Sequence, residues 1–373
     1  MVDLREVSFT TVAKTCEVLG GELEELLEKL VDIKTSVALV PRAMKPHVEK
    51  SDFKYQVRDY HYEVEPTAPP NKYEVKRKFD HMAEIIEATV EYRMHGTVHE
   101  DQWNAGVHFP VLKMVAESKM TREVFSIKSV EIEPSIFLYA PAQPTAEEVG
   151  NTSIDFGVVL KPSGELQKSI KTGGRVDKNR NNGVVEANTA NPTYYELLRQ
   201  NPIFVPVETM PIDGDYADGK LQLVKWSKAI IGKLRSMKDS AVEERASKMT
   251  EKPTEEEAEK MTRKAAEEGD EKASGNGSTP TENPTQDDTQ ESKSYSSGLP
   301  VCVGILIQAE RWEVMFLKMH DDGKWTLVSG VDIGGTLQFV DFCKLLKCLD
   351  LIYESREGAF FDFYMALGQI LAV

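Results

Sequence analysis

The chain has 373 residues, 40% of them hydrophobic, enough for one large or two small packed cores. Its net charge of −16 excludes a general nucleic-acid coat protein, because phosphate affinity comes from Lys and Arg. The longest apolar runs, such as "VCVGILI" at 301–307, fall far short of the ~18–20 residues a membrane span needs.

In chain order, helical periodicity is read at 7–30 and at 74–95. A third helix, 99–118, carries "HEDQWNAGVHFPVLKMVAES", with Trp103, Val107, Val111 and Val115 on one stripe. Strands are expected at 125–132 ("FSIKSVEI"), 153–160 ("SIDFGVVL") and 202–208 ("PIFVPVE"). Between the last two lies "KTGGRVDKNRNNG", read as a basic Gly/Asn-rich loop. Its lysines and arginines, with Lys168, are of the kind that binds phosphate or is simply solvated. Residues 218–237 have an apolar helical period behind Asp218 as N-cap.

Residues 239–299 hold 16 acidic and 8 basic side chains, half of the chain's net charge, and almost no large apolar residue. Such a stretch cannot bury enough surface to offset its ordering entropy, so 239–298 is read as an acidic disordered insertion whose first third, to about Glu268, is compatible with a transient charged helix. After it, "LPVCVGILIQAERWEVMFLKMHDDGKWTLVSGVDI" reads as a buried strand and a hairpin around "DDGK". "TLQFVDFCKLLKCLDLIYE" reads as a helix, and "VDIGGT" as a turn. The expected architecture is α/β, one discontinuous domain of residues 1–238 plus 299–373 around a mixed central sheet.

Three carboxylates sit at matching places in this plan. Glu100 is on the helix before the sheet, Asp155 on the second strand, and Glu208 at the end of the third in "VPVETM". Hydrolysis of a phosphodiester near neutral pH calls for a divalent metal that polarises phosphate and acidifies a bound water. Mg²⁺ prefers hard oxygen ligands, one or two carboxylates with waters. The pattern alone leaves the plainer alternative open, that Glu100 supports a helix N-terminus and the other two are sheet-edge charges.

The motifs "HEDQWNAGVHFPVL", "SIDFGVVL", "NPIFVPVETM", "KLQLVKW" and "LPVCVGILIQAERWEVMF" through "DIGGT" occur in one order over most of the chain outside the acidic segment. Together they resemble a fungal family of PD-(D/E)XK nuclease-like proteins. The resemblance implies a restriction-endonuclease-like core of helix, three strands, helix and strand. It implies Glu100, Asp155 and Glu208 as ligands of Mg²⁺ or Mn²⁺, with Gln222 as an accessory residue. The family's Val-Glu-Thr-Lys strand end is altered here: Met210 stands in place of the lysine, and a thioether neither donates a hydrogen bond nor carries charge. Lys225, three residues after Gln222 and near the same helix face, is a candidate replacement or a solvated helix lysine beside Lys228.

The function implied is metal-dependent hydrolysis of nucleic acid, DNA more than RNA. Two alternatives stay open: an inactive nuclease-fold interaction protein, whose acidic segment suits a protein partner, and an accessory protein of a fungal metabolic pathway. The N-terminus "MVDLREVSFTT" lacks a basic stretch followed by an apolar one, so an intracellular protein is expected, nucleus and cytoplasm not being distinguished. Cys16, Cys302, Cys343 and Cys348 have neither CxxC nor zinc-ligand spacing and read as reduced, mostly buried thiols. His95, His99 and His108 lack a metal-binding spacing, and Trp103 and Trp226 read as core.

Overall fold

A computed structural model of the chain describes residues 4–132, 152–180, 189–250 and 298–372, apart from Ser36, Pro66, Pro69 and Thr97. Its frame is a mixed seven-stranded sheet in the order β1-β7-β6-β5-β4-β3-β2. The strands are β1 (Leu4–Ser8), β2 (Arg122–Ser126), β3 (Phe156–Leu160), β4 (Ile203–Met210), β5 (Cys302–Gln308), β6 (Arg311–Met319) and β7 (Trp325–Gly335). Strands β2, β3 and β4 pair antiparallel, β4 and β5 pair parallel, and β5, β6 and β7 form two successive hairpins. Helices are α1 (Val12–Leu19), α2 (Glu24–Ile33), α3 (Lys72–His95), α4 (100–116), α5 (Gly164–Arg180), α6 (Tyr216–Thr250) and α7 (Phe339–Leu371), with single helical turns between α2 and α3. With α5 inserted between β3 and β4, the helix, three strands, helix and strand α4-β2-β3-β4-α6-β5 keep the order of the restriction-endonuclease-like plan.

The centre of the sheet is buried on both faces. Every residue of β3 and β4 is buried, which is why these segments read as continuous rather than alternating apolar runs. Pro206 cannot donate to a ladder, yet it sits within β4. It is tolerated because the β4–β5 pairing covers only Val207 to Met210, which leaves Pro206 just outside it. Helix α6 crosses from β4 back to β5 and packs on both strands. At Gly304 the Leu223 side chain comes so close that an added Cβ would lie 3.0 Å from it, so the glycine sets the depth of that contact. Helix α7 packs on β7, α5 and α6 and buries Phe339, Phe342, Tyr353, Phe360 and Tyr364.

Several expectations change. The helix read over 7–30 is a strand followed by two helices: Leu4–Ser8 runs parallel to β7, and only then do α1 and α2 form. The basic loop at 171–183 is helical to Arg180, since Leu166 and Ile170 pack this segment against the core. The acidic segment begins later than composition indicates: α6 continues to Thr250, so residues 239–250 are helical, with Ser240 and Ala241 buried. Residues 251–297 lie outside the described residues. The "VDIGGT" turn is the last part of β7, where Gly334, at φ +114°, lets the strand end approach α7; a Cβ there would lie 2.7 Å from the Asp341 carbonyl. Trp103 and Trp226 are core residues. The four cysteines are free, three of them buried. No described helix is long and apolar enough to cross a membrane.

Candidate metal centre

The three carboxylates arrive from three elements. Helix α4 starts at Glu100 behind His99, whose ring accepts from the Asp101 N–H. Glu100 and Asp101 thus occupy the first helical turn, where the helix dipole favours negative charge. Asp155 immediately precedes β3. The register Phe156 with Val207 extends by one step to set Asp155 beside Glu208. The next turn of α4, Asn104–His108, is a π turn, a local widening often found at functional sites. It turns Asn104 and His108 inward, and both are buried.

Asp155 is 4% exposed and heavily bonded. One carboxylate oxygen accepts from the Thr209 N–H at 2.9 Å and the Thr209 hydroxyl at 2.8 Å; the other faces the Asn104 amide NH₂ at 3.4 Å. His108 backs Asn104: its Nε2 donates to the Ala309 carbonyl at 2.7 Å, and its Nδ1 lies 2.8 Å from the Asn104 side-chain oxygen. Burial pushes the His108 pKa down to about 4, against the pull of the Ala309 carbonyl, so the ring is neutral. Its one proton goes to the Ala309 carbonyl, so His108 is a buried structural group.

Glu208 is 6% exposed. The Asp155 backbone N–H favours its charged form, but Oε2 is fully buried with no hydrogen-bond partner. Burial, then the charges of Asp155 and Glu100, push its pKa up to about 9. Asp155 is also raised, chiefly by burial, against the two Thr209 bonds. Two buried carboxyls beside a third therefore share a site that disfavours their full ionisation. An orphaned, buried carboxylate oxygen in such a cluster is what a bound cation would satisfy.

The cation that the structure does place here is Lys128, in the turn after β2. Its Nζ donates to Glu100 Oε1 and to Asp101 Oδ1, each at 2.7 Å, and lies 4.0 Å from Asp155 Oδ1. Partial burial opposes its charge, but the ion pairs with Asp101 and Glu100 and the Asp155 charge outweigh that and hold its pKa above the usual lysine value. The charges acting on Asp155 are those of Glu100 and Lys128, and those acting on Glu208 are Asp155, Glu100 and Lys128; Lys225 is in neither set. Gln222 and Lys225 are half-buried on α6, and neither bonds to the three carboxyls. Lys220 points away and pairs with Glu6 on β1 at 2.8 Å.

Met210 lies on the same face of β4 as Glu208, two residues on. It is buried beneath the first turn of α6, where a Cβ on Gly219 would overlap its sulfur. Met210 is thus part of the packing between β4 and α6.

The residue types suit a hard divalent ion, and the unpartnered Glu208 oxygen supports that fit. As arranged, however, no group of three or more His, Cys, Asp or Glu side chains among the described residues is poised to hold a metal. Lys128 pairs with Glu100, and Thr209 donates twice to one oxygen of Asp155.

An αβββαβ core with acidic side chains gathered where β3 and β4 lie side by side defines a nuclease-type α/β protein. The family model of the PD-(D/E)XK nuclease superfamily matches residues 45–354, and the chain belongs to that superfamily. No curated protein and no solved structure matches it.

Proposed function

We propose that the chain is a metal-dependent phosphodiesterase acting on nucleic acid, DNA in preference to RNA, with Glu100, Asp155 and Glu208 as ligands of Mg²⁺ or Mn²⁺. The observation that carries this reading is the buried, unpartnered Glu208 Oε2 beside two further carboxyls. A bound divalent ion there supplies Lewis acidity toward a phosphate oxygen and a more acidic water. The chain's own part is orientation. Thr209 holds the rotamer of Asp155, with the Asn104 amide facing its other oxygen. Lys128, rather than Lys225, is the ammonium beside the carboxyls, and Met210 leaves the strand end without one.

A second reading, a nuclease fold that binds without cutting, is favoured by one observation: Lys128 pairs with Glu100 without any metal. The distinguishing assay incubates the protein with single- and double-stranded DNA and RNA in Mg²⁺, Mn²⁺ or EDTA, beside Glu208→Gln. Cleavage that disappears both in EDTA and in the variant supports hydrolysis; nucleic-acid binding without cleavage under every condition supports the second reading. The amide variant should not fail by misfolding. It replaces a crowded carboxyl whose ionisation the fold resists, so its melting temperature without metal at pH 8 is expected to rise by about 2–5 °C.

A further inference from the structure

We infer that Lys128 is a resident counter-ion that guards the carboxylate site: a divalent cation enters only by displacing its ammonium from Glu100 and Asp155, and Asp101 is the carboxylate to which that ammonium withdraws. The inference rests on reading the three carboxyls as a metal site and adds a control on occupancy.

Three observations carry it. First, Nζ stands between the carboxylates, 2.7 Å from Glu100 and 4.0 Å from Asp155, so a divalent ion sharing those oxygens would meet a like charge at close range. Second, Asp101 is not one of the three carboxyls but is bound equally well, at 2.7 Å. Its side chain is 65% exposed and points toward solvent, so the ammonium keeps an ion pair when it leaves Glu100. Third, only the side chain has to move. The turn backbone is pinned by Ile127 N–H donating to the Asp155 carbonyl and by Val130 N–H donating to Ile127, with Ile127 and Val130 buried on either side. The Lys128 side chain is itself 48% exposed, which leaves room for a swing about a fixed Cα. Withdrawal would free Glu100 Oε1 to join the unpartnered Glu208 Oε2, turning a site that no metal finds ready-made into one with open oxygens.

The test is a calorimetric titration of the full chain with Mn²⁺, in parent, Lys128→Met, Lys128→Gln, Asp101→Asn, the Lys128→Met/Asp101→Asn pair and Glu208→Gln. Both lysine variants are expected to bind Mn²⁺ about tenfold more tightly than the parent. Asp101→Asn is expected to weaken binding several-fold while Lys128 is present and to have little effect once Lys128 is methionine. Independently, Mg²⁺ should raise the rate at which the Lys128 amine is reductively methylated, read by mass spectrometry on the unaltered protein. Unchanged or weaker binding in both lysine variants, with binding lost in Glu208→Gln, overturns the guarding role and leaves the metal site standing. Binding that survives Glu208→Gln at parental strength, or that appears in no variant, overturns both. Binding absent in the parent and present in the lysine variants upholds the inference outright.

Discussion

At the scale of single residues, the site is held by neutral groups as much as by charged ones. His108 is the best case. It is completely buried, and burial keeps it unprotonated down to about pH 4, whereas in the unfolded chain the same ring takes up a proton near 6.5. Between those values the unfolded state binds more protons than the folded one, so stability falls as pH is lowered through that window and is unaffected by this group above it. His108→Gln should remove that part of the acid sensitivity. Urea unfolding at pH 7 and pH 4.5 is expected to show the parent losing about 2–3 kcal/mol more than the variant between the two. At pH 7 the variant should already be weaker by about 1–2 kcal/mol, because the Asn104 and Ala309 contacts are strained or lost. An equal loss in both proteins would remove His108 from this account.

At the scale of elements, the packing of β4 against α6 decides what Met210 can be. The thioether lies against Gly219 in the first turn of α6. That end of a helix is electropositive, so an ammonium placed there is repelled as well as desolvated. Met210→Lys is therefore expected to lower stability by about 1–3 kcal/mol and to bring no gain in cleavage, measured by urea unfolding and the nuclease assay together. A stable, more active variant would show that the strand position still communicates with the site. The same elements show how much could be read from sequence. Strands β3, β4 and β5, the hairpin at 320–324 and helices α3 and α4 carry clear apolar periods or continuous apolar runs, and their places and order were legible. Strand β1 was not: only five residues long, with an "intermediate, exposed, exposed" start, it looks like the lead of the next helix. Helix α5 was hidden by its paired glycines and polar run, and is helical because of what it packs against. Of the site, the adjacency of Asp155 and Glu208 follows from strand register and could be anticipated. Lys128 could not, because it reaches Glu100 across 28 residues from a turn, and no period encodes an ion pair. The available hint was a lone lysine in "FSIKSVEI", flanked by apolar residues that fix its backbone.

At the scale of the whole molecule, a few buried charges join parts far apart in sequence. Arg356 on α7 is 1% exposed; it donates to Glu22, at the start of the turn before α2, at 2.8 Å and to the Val301 carbonyl, just before β5, at 3.1 Å. Burial lowers its pKa, with Glu22 opposing. Arg356→Met keeps the volume but removes the donor to the Val301 carbonyl and leaves Glu22 with only the Val301 N–H. It is expected to cost about 2–4 kcal/mol in urea unfolding, without altering Mn²⁺ affinity. A change of affinity alongside would tie the helical end of the molecule to the carboxylate site. Arg122 does similar work on the other flank, pairing with Glu357 at 2.6 Å and Asp350 at 3.5 Å.

The parallel pairing of Val207 with Ile305 has a consequence during synthesis. When β4 leaves the ribosome, its partner on one side has not yet been translated, and α6 and the whole acidic segment must emerge first. Through that interval a largely apolar strand has an open edge, a template for pairing with a neighbouring nascent chain. A negatively charged stretch emerging next gives like-charge repulsion between such chains during the delay, and the sheet closes only when Cys302–Gln308 arrives.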